Sequence, residues 1–484
     1  MSGRKQNIVY SLTEVKALLC VLVILNLSCL SKDHQLQKSK VKLTALQTDF
    51  NILRKTLEEA HPGLYWYTER AAMDNYFDST YNLLDHDMTS LEFFKLLLPV
   101  IAKVRCVHTN LHLPTEVGNR AQFHKLLPFN FLCQDGKVFI TKDFCSTAHE
   151  RLEIRCINNT TTKKILETLL NRLPADGYNE TYKYSLLSTG AFREGYALCF
   201  GQPDSFVVRA VHTRSLKDVV FTVKAITPQE LSNTVRSVPK TPLQLRFKPD
   251  LSSAVLDLNT FEINTKKFRD TLQTIFKAIR EKNCKNLIID LRQNGGGNND
   301  NVSALFSFIA AAPFQHLKSA EMNPPALTYL KYINRSQDFK DIHADASGNY
   351  LVNYRYAGTI VMNPQHENLF RGNVVLLTSG HTTSAASEFA AISHFTKRAR
   401  IVGEETGGCY YGATGGNFIN LKLPNSGLEV RIPTIRIFTA VDEDYLHQPK
   451  GRGTFPDYEI VPTVGEIIDG KDVQLKLAFK ILNK

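Results

Sequence analysis

Three kinds of residue in this chain could do chemistry together: a serine at the start of a helix, a run of glycines after a strand, and a histidine far upstream of both. The serine is Ser384, in Thr383-Ser384-Ala385-Ala386. Residues 374–378 are apolar and read as a buried strand, 379–383 as a sharp polar turn, and a helix is expected from Ser384. A helix N-terminus offers unpaired N–H groups and the positive end of the dipole, so it stabilises developing negative charge. That suits a nucleophilic serine with half of an oxyanion hole, and Ala385 and Ala386 leave room for a carbonyl. The competing reading is that Ser384 is only a helix cap, a common use of serine. The glycines are Gly295-Gly296-Gly297, directly after the apolar run 286–291. They can turn backbone N–H groups towards a ligand, or simply form a flexible turn. They are not G-x-G-x-x-G and lack the Lys-Ser/Thr of a phosphate loop, which argues against a nucleotide. His108 falls at an expected helix-to-strand corner; alone, such a histidine is more often structural than a base.

These groups need a scaffold, and 484 residues suffice for two or three domains with real cores. Hydrophobic content of 43% and charged content of 22% are those of a globular protein. The net charge of +11 comes from scattered lysines and arginines, without a nucleic-acid motif, and reads as a solvated surface. Arg4, Lys5 and Lys16 precede an apolar stretch at 17–30, short for a membrane span and suited to a secretory signal. Cys29 after Ser28 resembles a bacterial lipoprotein signal, although Asn26 stands where such signals carry Leu. An ordinary signal peptide or a short anchor is the alternative. The nine cysteines form no CxxC pair, so no zinc knuckle is expected. With Cys20 and Cys29 set aside an odd number remains, which argues against a full disulfide framework.

In chain order, 1–29 read as the signal and 30–43 as a tether. Residues 44–118 read as a helical domain, with capping boxes expected at Thr44-Ala45-Leu46-Gln47 and Thr89-Ser90-Leu91-Glu92. Residues 120–225 read as a small β-rich module with one clear helix over 162–173, and 226–245 as a linker. From 245 to 484 strands and helices alternate, implying an α/β layer with parallel strands. Residues 312–372 look like an insertion over that layer, and 418–434 like a hairpin.

The pieces combine into a pattern. Asp290-Leu291-Arg292 with Asn294-Gly295-Gly296-Gly297, Thr383-Ser384-Ala385-Ala386 with Glu388-Phe389-Ala390, Ile401-Val402-Gly403-Glu404 with Thr406-Gly407-Gly408, and Pro456-Asp457 together resemble the tail-specific (C-terminal-processing) and tricorn-core serine peptidases. The resemblance covers most of the chain and implies a multidomain α+β and α/β protein. Its parts would be an N-terminal helical domain, a PDZ-like module at 120–225 and a ClpP/crotonase-like peptidase core at 245–484. It implies Ser384 as nucleophile, with an oxyanion hole made by the N–H groups of Ala385 and of Gly295 or Gly296. One branch of the family carries a lysine base in the glycine turn after the serine; Cys409 stands there instead. The tricorn-like branch uses a histidine from the segment after the helical domain. Cys106-Val107-His108-Thr109 matches that place and makes His108 the candidate base. The acid that would orient it is open among Asp442, Glu443 and Asp444. The resemblance implies a peptide or protein substrate, no metal and no cofactor; the N-terminal signal places the expected protein in the periplasm or on the membrane of a bacterial envelope by a lipid on Cys29. The alternatives are a catalytically weak or inactive peptide-binding protein on the same scaffold, and a cysteine hydrolase using Cys409.

Overall fold

The computed structural model describes residues 39–114, 123–234, 241–248 and 252–483, save 325, 336–343, 345–349, 353–356 and 446. The signal, Cys20 and Cys29 lie outside the described residues, as does the tether up to 38.

Three helices open the described chain: Leu43–Ala60, Arg70–Tyr81 and Ser90–Lys103. Leu46, Phe50, Leu53 and Leu57 form the buried stripe of the first, at about 1.5–3 kcal/mol per fully buried side chain. Its expected capping box at Thr44 is absent. The helix starts at Leu43, whose N–H is accepted by Asp87 Oδ1 at 2.9 Å, so a distant carboxylate replaces the local cap. The second box is present: Thr89 and Glu92 satisfy each other's backbone N–H groups.

The β-rich module is a sheet of strands Phe129–Gln134, Lys137–Asp143, Leu152–Ile157, Ser205–His212 and Asp218–Lys224. Besides the expected helix, which spans Thr162–Leu170, a second helical run crosses 181–200. Gly190, at φ 126°, interrupts this run and splits it around a π-turn. The expected linker at 226–245 also contains structure. Pro228–Thr234 is a helix, and Leu243–Lys248 is an edge strand pairing antiparallel with Ser253–Leu258.

Beyond that edge the core sheet is parallel, in the order Ser253–Leu258, Asn286–Asp290, Asn373–Thr378, Arg400–Gly403, Tyr458–Glu459. Its side chains alternate between two buried faces. Leu256, Ile289, Leu376 and Ile401 meet helices Thr265–Glu281 and Ala385–Phe395. Val255, Ile288, Val375 and Val402 meet the last helix, Val473–Leu482. Coverage on both sides explains why these strands are unbroken apolar runs. A further sheet pairs Gly412–Lys422 with Glu429–Thr439. The latter also pairs with Leu317–Met322, within the expected insertion, and with Asn110–His112. That last pairing brings the His108 corner onto the core. Among the described residues no helix is long and apolar enough to cross a membrane.

Candidate active site

The Asn373–Thr378 strand ends in a turn that is bonded at almost every position. Ser379 Oγ donates to the Arg292 carbonyl at 2.7 Å and Thr382 Oγ1 to the Leu291 carbonyl at 2.9 Å. Thr383 Oγ1 donates to the Gly295 carbonyl at 3.1 Å, and the N–H groups of Gly407 and Gly408 donate to the Thr382 carbonyl. Three turns, at 291–297, 379–384 and 406–408, are thereby joined at one end of the sheet.

Ser384 sits at φ 53°, ψ −131°, just before the helix Ala385–Phe395. For a residue with a Cβ this is strained, by about 1–3 kcal/mol. A cap would have an extended backbone and an accepting side chain. Ser384 has neither, and its hydroxyl makes no hydrogen bond among the described residues. A strained serine on a strand-to-helix elbow is the geometry that presents a nucleophile.

The glycine turn lies directly against it. A Cβ on Gly296 would stand 2.6 Å from Ser384 Cβ and 3.1 Å from the Ala385 nitrogen, and Gly296 has φ 101°. Only glycine fits both demands. Of the donors expected for an oxyanion, Gly296 is engaged elsewhere: its N–H is accepted by Asn294 Oδ1 at 2.9 Å. Asn294 is fully buried and tied through Nδ2 to the Leu258 carbonyl, so this bond shapes the turn. The N–H groups of Gly295, which is exposed, and of Ala385 have no acceptor among the described residues.

His108 follows the helix Ser90–Lys103 on a tight corner. Gly177 and Arg105 exchange two hydrogen bonds there: Gly177 N–H donates to the Arg105 carbonyl, and the Arg105 side chain, through Nη1, to the Gly177 carbonyl, both at 3.0 Å. Val107 N–H donates to Asp176 Oδ1 at 2.9 Å. The loop continues through Asn179, which donates to the Thr406 carbonyl at 2.7 Å, so the corner is linked to the turns around Ser384. Yet His108 and Ser384 share no hydrogen bond among the described residues. The ring packs near Phe418 and Gly415 instead, and Nδ1 is shut from solvent without a partner. Burial lowers its pKa to about 4, helped by Arg431 and opposed by the Thr414 backbone. It is therefore neutral at pH 7.

A second histidine nearby is structural. His61 Nδ1 accepts from Gly63 N–H, so Nε2 donates to Thr109 Oγ1 at 3.0 Å. Asp442 and Glu443 are solvent-exposed on the loop after Glu429–Thr439, where Asp444 N–H donates to Tyr411 Oη. Neither hydrogen-bonds His108 among the described residues. The buried carboxyl at the corner is Asp176, 2% exposed and pushed by burial to about 7 against the pull of Val107 N–H. In the sequence it sat in Pro174-Ala175-Asp176-Gly177, indistinguishable from a helix-stopping turn. Cys409 is buried, and burial raises its thiol pKa well above the usual value. A cleft of about 960 Å³ between the β-rich module and the core is lined by Thr181, Arg292, His381, Glu404 and Arg452, among others, but not by Ser384 or His108.

Residues 252–460 match the peptidase family S41 model. The chain carries a peptidase family S41 domain. This domain is that of a serine-type peptidase, and Ser384 and the glycine turn both lie within it. His108 and Asp176 lie outside it, earlier in the chain. No curated protein matches the chain by sequence. Among solved structures, mature CPAF complexed with lactacystin is similar at 13% identity and a TM-score of 0.62, over 91% of this chain and 98% of that one. A putative peptidase from Parabacteroides merdae is 16% identical, with a TM-score of 0.46 over 90% and 96%. The photosystem II D1 C-terminal processing protease is 15% identical, with a TM-score of 0.41 over 91% and 97%. At these identities the likeness to CPAF is one of fold, an α/β multidomain arrangement shared along nearly the whole chain.

Proposed function

We propose that the chain hydrolyses peptide bonds through an acyl-enzyme on Ser384. His108 acts as general base, and the N–H groups of Ala385 and Gly295 hold the oxyanion. The observation that carries this reading is the Ser384 elbow: a strained, partly exposed serine with its hydroxyl unengaged, beside two unengaged N–H groups. Attack on a peptide carbonyl passes the serine proton to a neutral imidazole and places the new negative charge between the two donors. The same imidazole then protonates the leaving amine, and water releases the acyl group. No step calls for a metal or a cofactor.

The peptide or protein substrate follows from the family. Export, with a lipid on Cys29 or a plain signal peptide, rests on the basic and apolar residues before position 31. The PDZ-like character of the β-rich module belongs to the same proposal.

A second reading is a binding protein that holds peptides without cleaving them, and the missing hydrogen bond between Ser384 and His108 favours it. Intact-mass analysis after a fluorophosphonate probe separates the two. One adduct on the native protein, absent from Ser384→Ala and slowed in His108→Ala, supports the hydrolase. No adduct on folded native protein supports the binding reading.

A further inference from the structure

The corner that carries His108 also gathers two further donors around it which peptide hydrolysis does not need. A ring nitrogen of His108, a carboxylate oxygen of Asp176 and Cys106 Sγ all lie within 4.8 Å of one another. Two of these residues have a polar atom left over. His108 Nδ1 and Asp176 Oδ2 are both buried without a hydrogen-bond partner. An orphaned buried donor or acceptor costs about 1–3 kcal/mol, and two on one corner call for something that satisfies both. They do not satisfy one another directly, since His108 and Asp176 share no hydrogen bond among the described residues. Cys106, the third member, donates Sγ to the Thr414 carbonyl at 3.5 Å and is also contacted by Thr109 and the His108 backbone.

We propose that Cys106, His108 and Asp176 form a binding site for a soft divalent cation of the Zn²⁺ class. Thiolate, imidazole and carboxylate are the three ligand types such a cation takes, and hard cations such as Mg²⁺ avoid the first two. In a tetrahedral site with bonds of about 2.0–2.3 Å the donors stand roughly 3.5 Å apart, so from separations of up to 4.8 Å the three need to close by no more than about 1.3 Å. The charges suit it too. A thiolate and a carboxylate neutralise a divalent ion, which removes the cost of leaving that charge buried. The thiol proton, held by burial in the free protein, is released to solvent as the Cys106 sulfur–metal bond forms. The corner is preset by the Val107 N–H to Asp176 Oδ1 bond, which holds the carboxylate beside the chain segment that carries the other two ligands. His108, only half-buried, is the open side through which an ion enters.

Occupying the site takes up His108, so a second consequence rests on the base assignment above: the filled site withdraws the base from Ser384. The experiment is native mass spectrometry and calorimetric titration with Zn²⁺ alone, on the full chain carrying Cys145→Ser to remove the exposed thiol. One zinc per chain is expected. Cys106→Ser and Asp176→Asn should each weaken binding by at least about 10–100-fold, the range already seen when partners outside the first ligand shell are lost. Circular dichroism and a thermal melt confirm that each variant is folded, and the Asn variant keeps the Val107 acceptor. No bound zinc, or equal binding in both folded variants, overturns the site. In that case a fall in labelling rate with Asp176→Asn identifies Asp176 as a residue that positions His108 instead. Fluorophosphonate labelling with and without zinc tests the consequence separately. Slowed labelling in the parent and not in Cys106→Ser ties the ion to the base. Zinc bound with labelling unchanged removes His108 as base and leaves the cation site standing.

Discussion

The Ser384 elbow and the His108 corner are both tight turns, held by neighbouring turns, yet they are built to different standards. At the elbow the shaping side chains and most N–H groups are paired. What is left unpaired is what acyl transfer uses: the Ser384 hydroxyl and the N–H groups of Ala385 and Gly295. At the corner the unpaired groups are a buried ring nitrogen of His108 and a buried carboxylate oxygen of Asp176. The elbow stores strain in the backbone and has its hydrogen bonds fixed before any substrate arrives, which is preorganisation. The corner holds a base that is neutral but weak, and not yet bonded to the hydroxyl it would serve. The serine half is complete in the resting protein, and the histidine half has to be engaged.

The largest effect should come from the elbow itself. Ser384→Ala should abolish probe labelling and lower peptide hydrolysis by on the order of 10⁴-fold or more. Ser384→Gly should be equally inactive but more stable than the native protein, by about 1 kcal/mol, because glycine relieves the strained φ. Chemical denaturation of the two variants side by side measures this. A glycine variant no more stable than the alanine variant would mean that the elbow carries no strain, and the contrast with the corner would lose its basis.

Gly296→Ala comes next. The new Cβ collides with Ser384 Cβ at 2.6 Å and sits at φ 101°. The glycine turn must then move, and with it the neighbouring Gly295 donor. The expected loss in labelling rate is roughly 10²–10³-fold, the usual cost of one oxyanion donor. Labelling within threefold of native would place the oxyanion elsewhere.

This elbow was also the legible half of the molecule. Strand, polar turn and helix follow from the apolar run, Ser379 to Thr383, and the alanines. The three glycines after Asp290 mark their own turn. What the sequence could not separate was Gly295 from Gly296, because only the fold shows Asn294 Oδ1 taking the Gly296 N–H. The corner was legible only as a place. His108 was found through its position after the helical domain, while Asp176, 69 positions along the chain from Val107, meets it through tertiary packing alone. Residues brought together from distant parts of the chain leave no spacing to read. The same holds for the Thr44 box, displaced by Asp87, and for the helical run hidden by Gly190.

The corner makes its own pH predictions. His108 has a pKa of about 4, so it is already deprotonated well below neutrality. The labelling rate should rise through about pH 4 and level off above it. A midpoint near 6.5, the ordinary value for histidine, would show that the reacting state holds His108 in a more open setting than the resting one. Asp176 acts in the opposite sense on stability. Its folded pKa, about 7, lies above the unfolded value near 3.9. Its favourable contribution is therefore complete below about pH 4 and is lost as pH rises towards 7. Asp176→Asn should flatten that part of the stability curve, as measured by denaturation across pH 4–7.

The smallest effect is expected where the two regions nearly meet. Cys409 stands in the glycine turn, where one branch of similar peptidases carries its lysine, and it is the rival nucleophile to Ser384. The residue is 1% exposed, and its thiol is held protonated by burial, with Asp176 adding to the effect. A thiol without thiolate character is a packing residue. Cys409→Ala should keep labelling and hydrolysis within about twofold of native and cost roughly 1 kcal/mol of stability from the lost volume. A large loss of activity with the fold intact would make the turn, rather than the elbow, the reacting group.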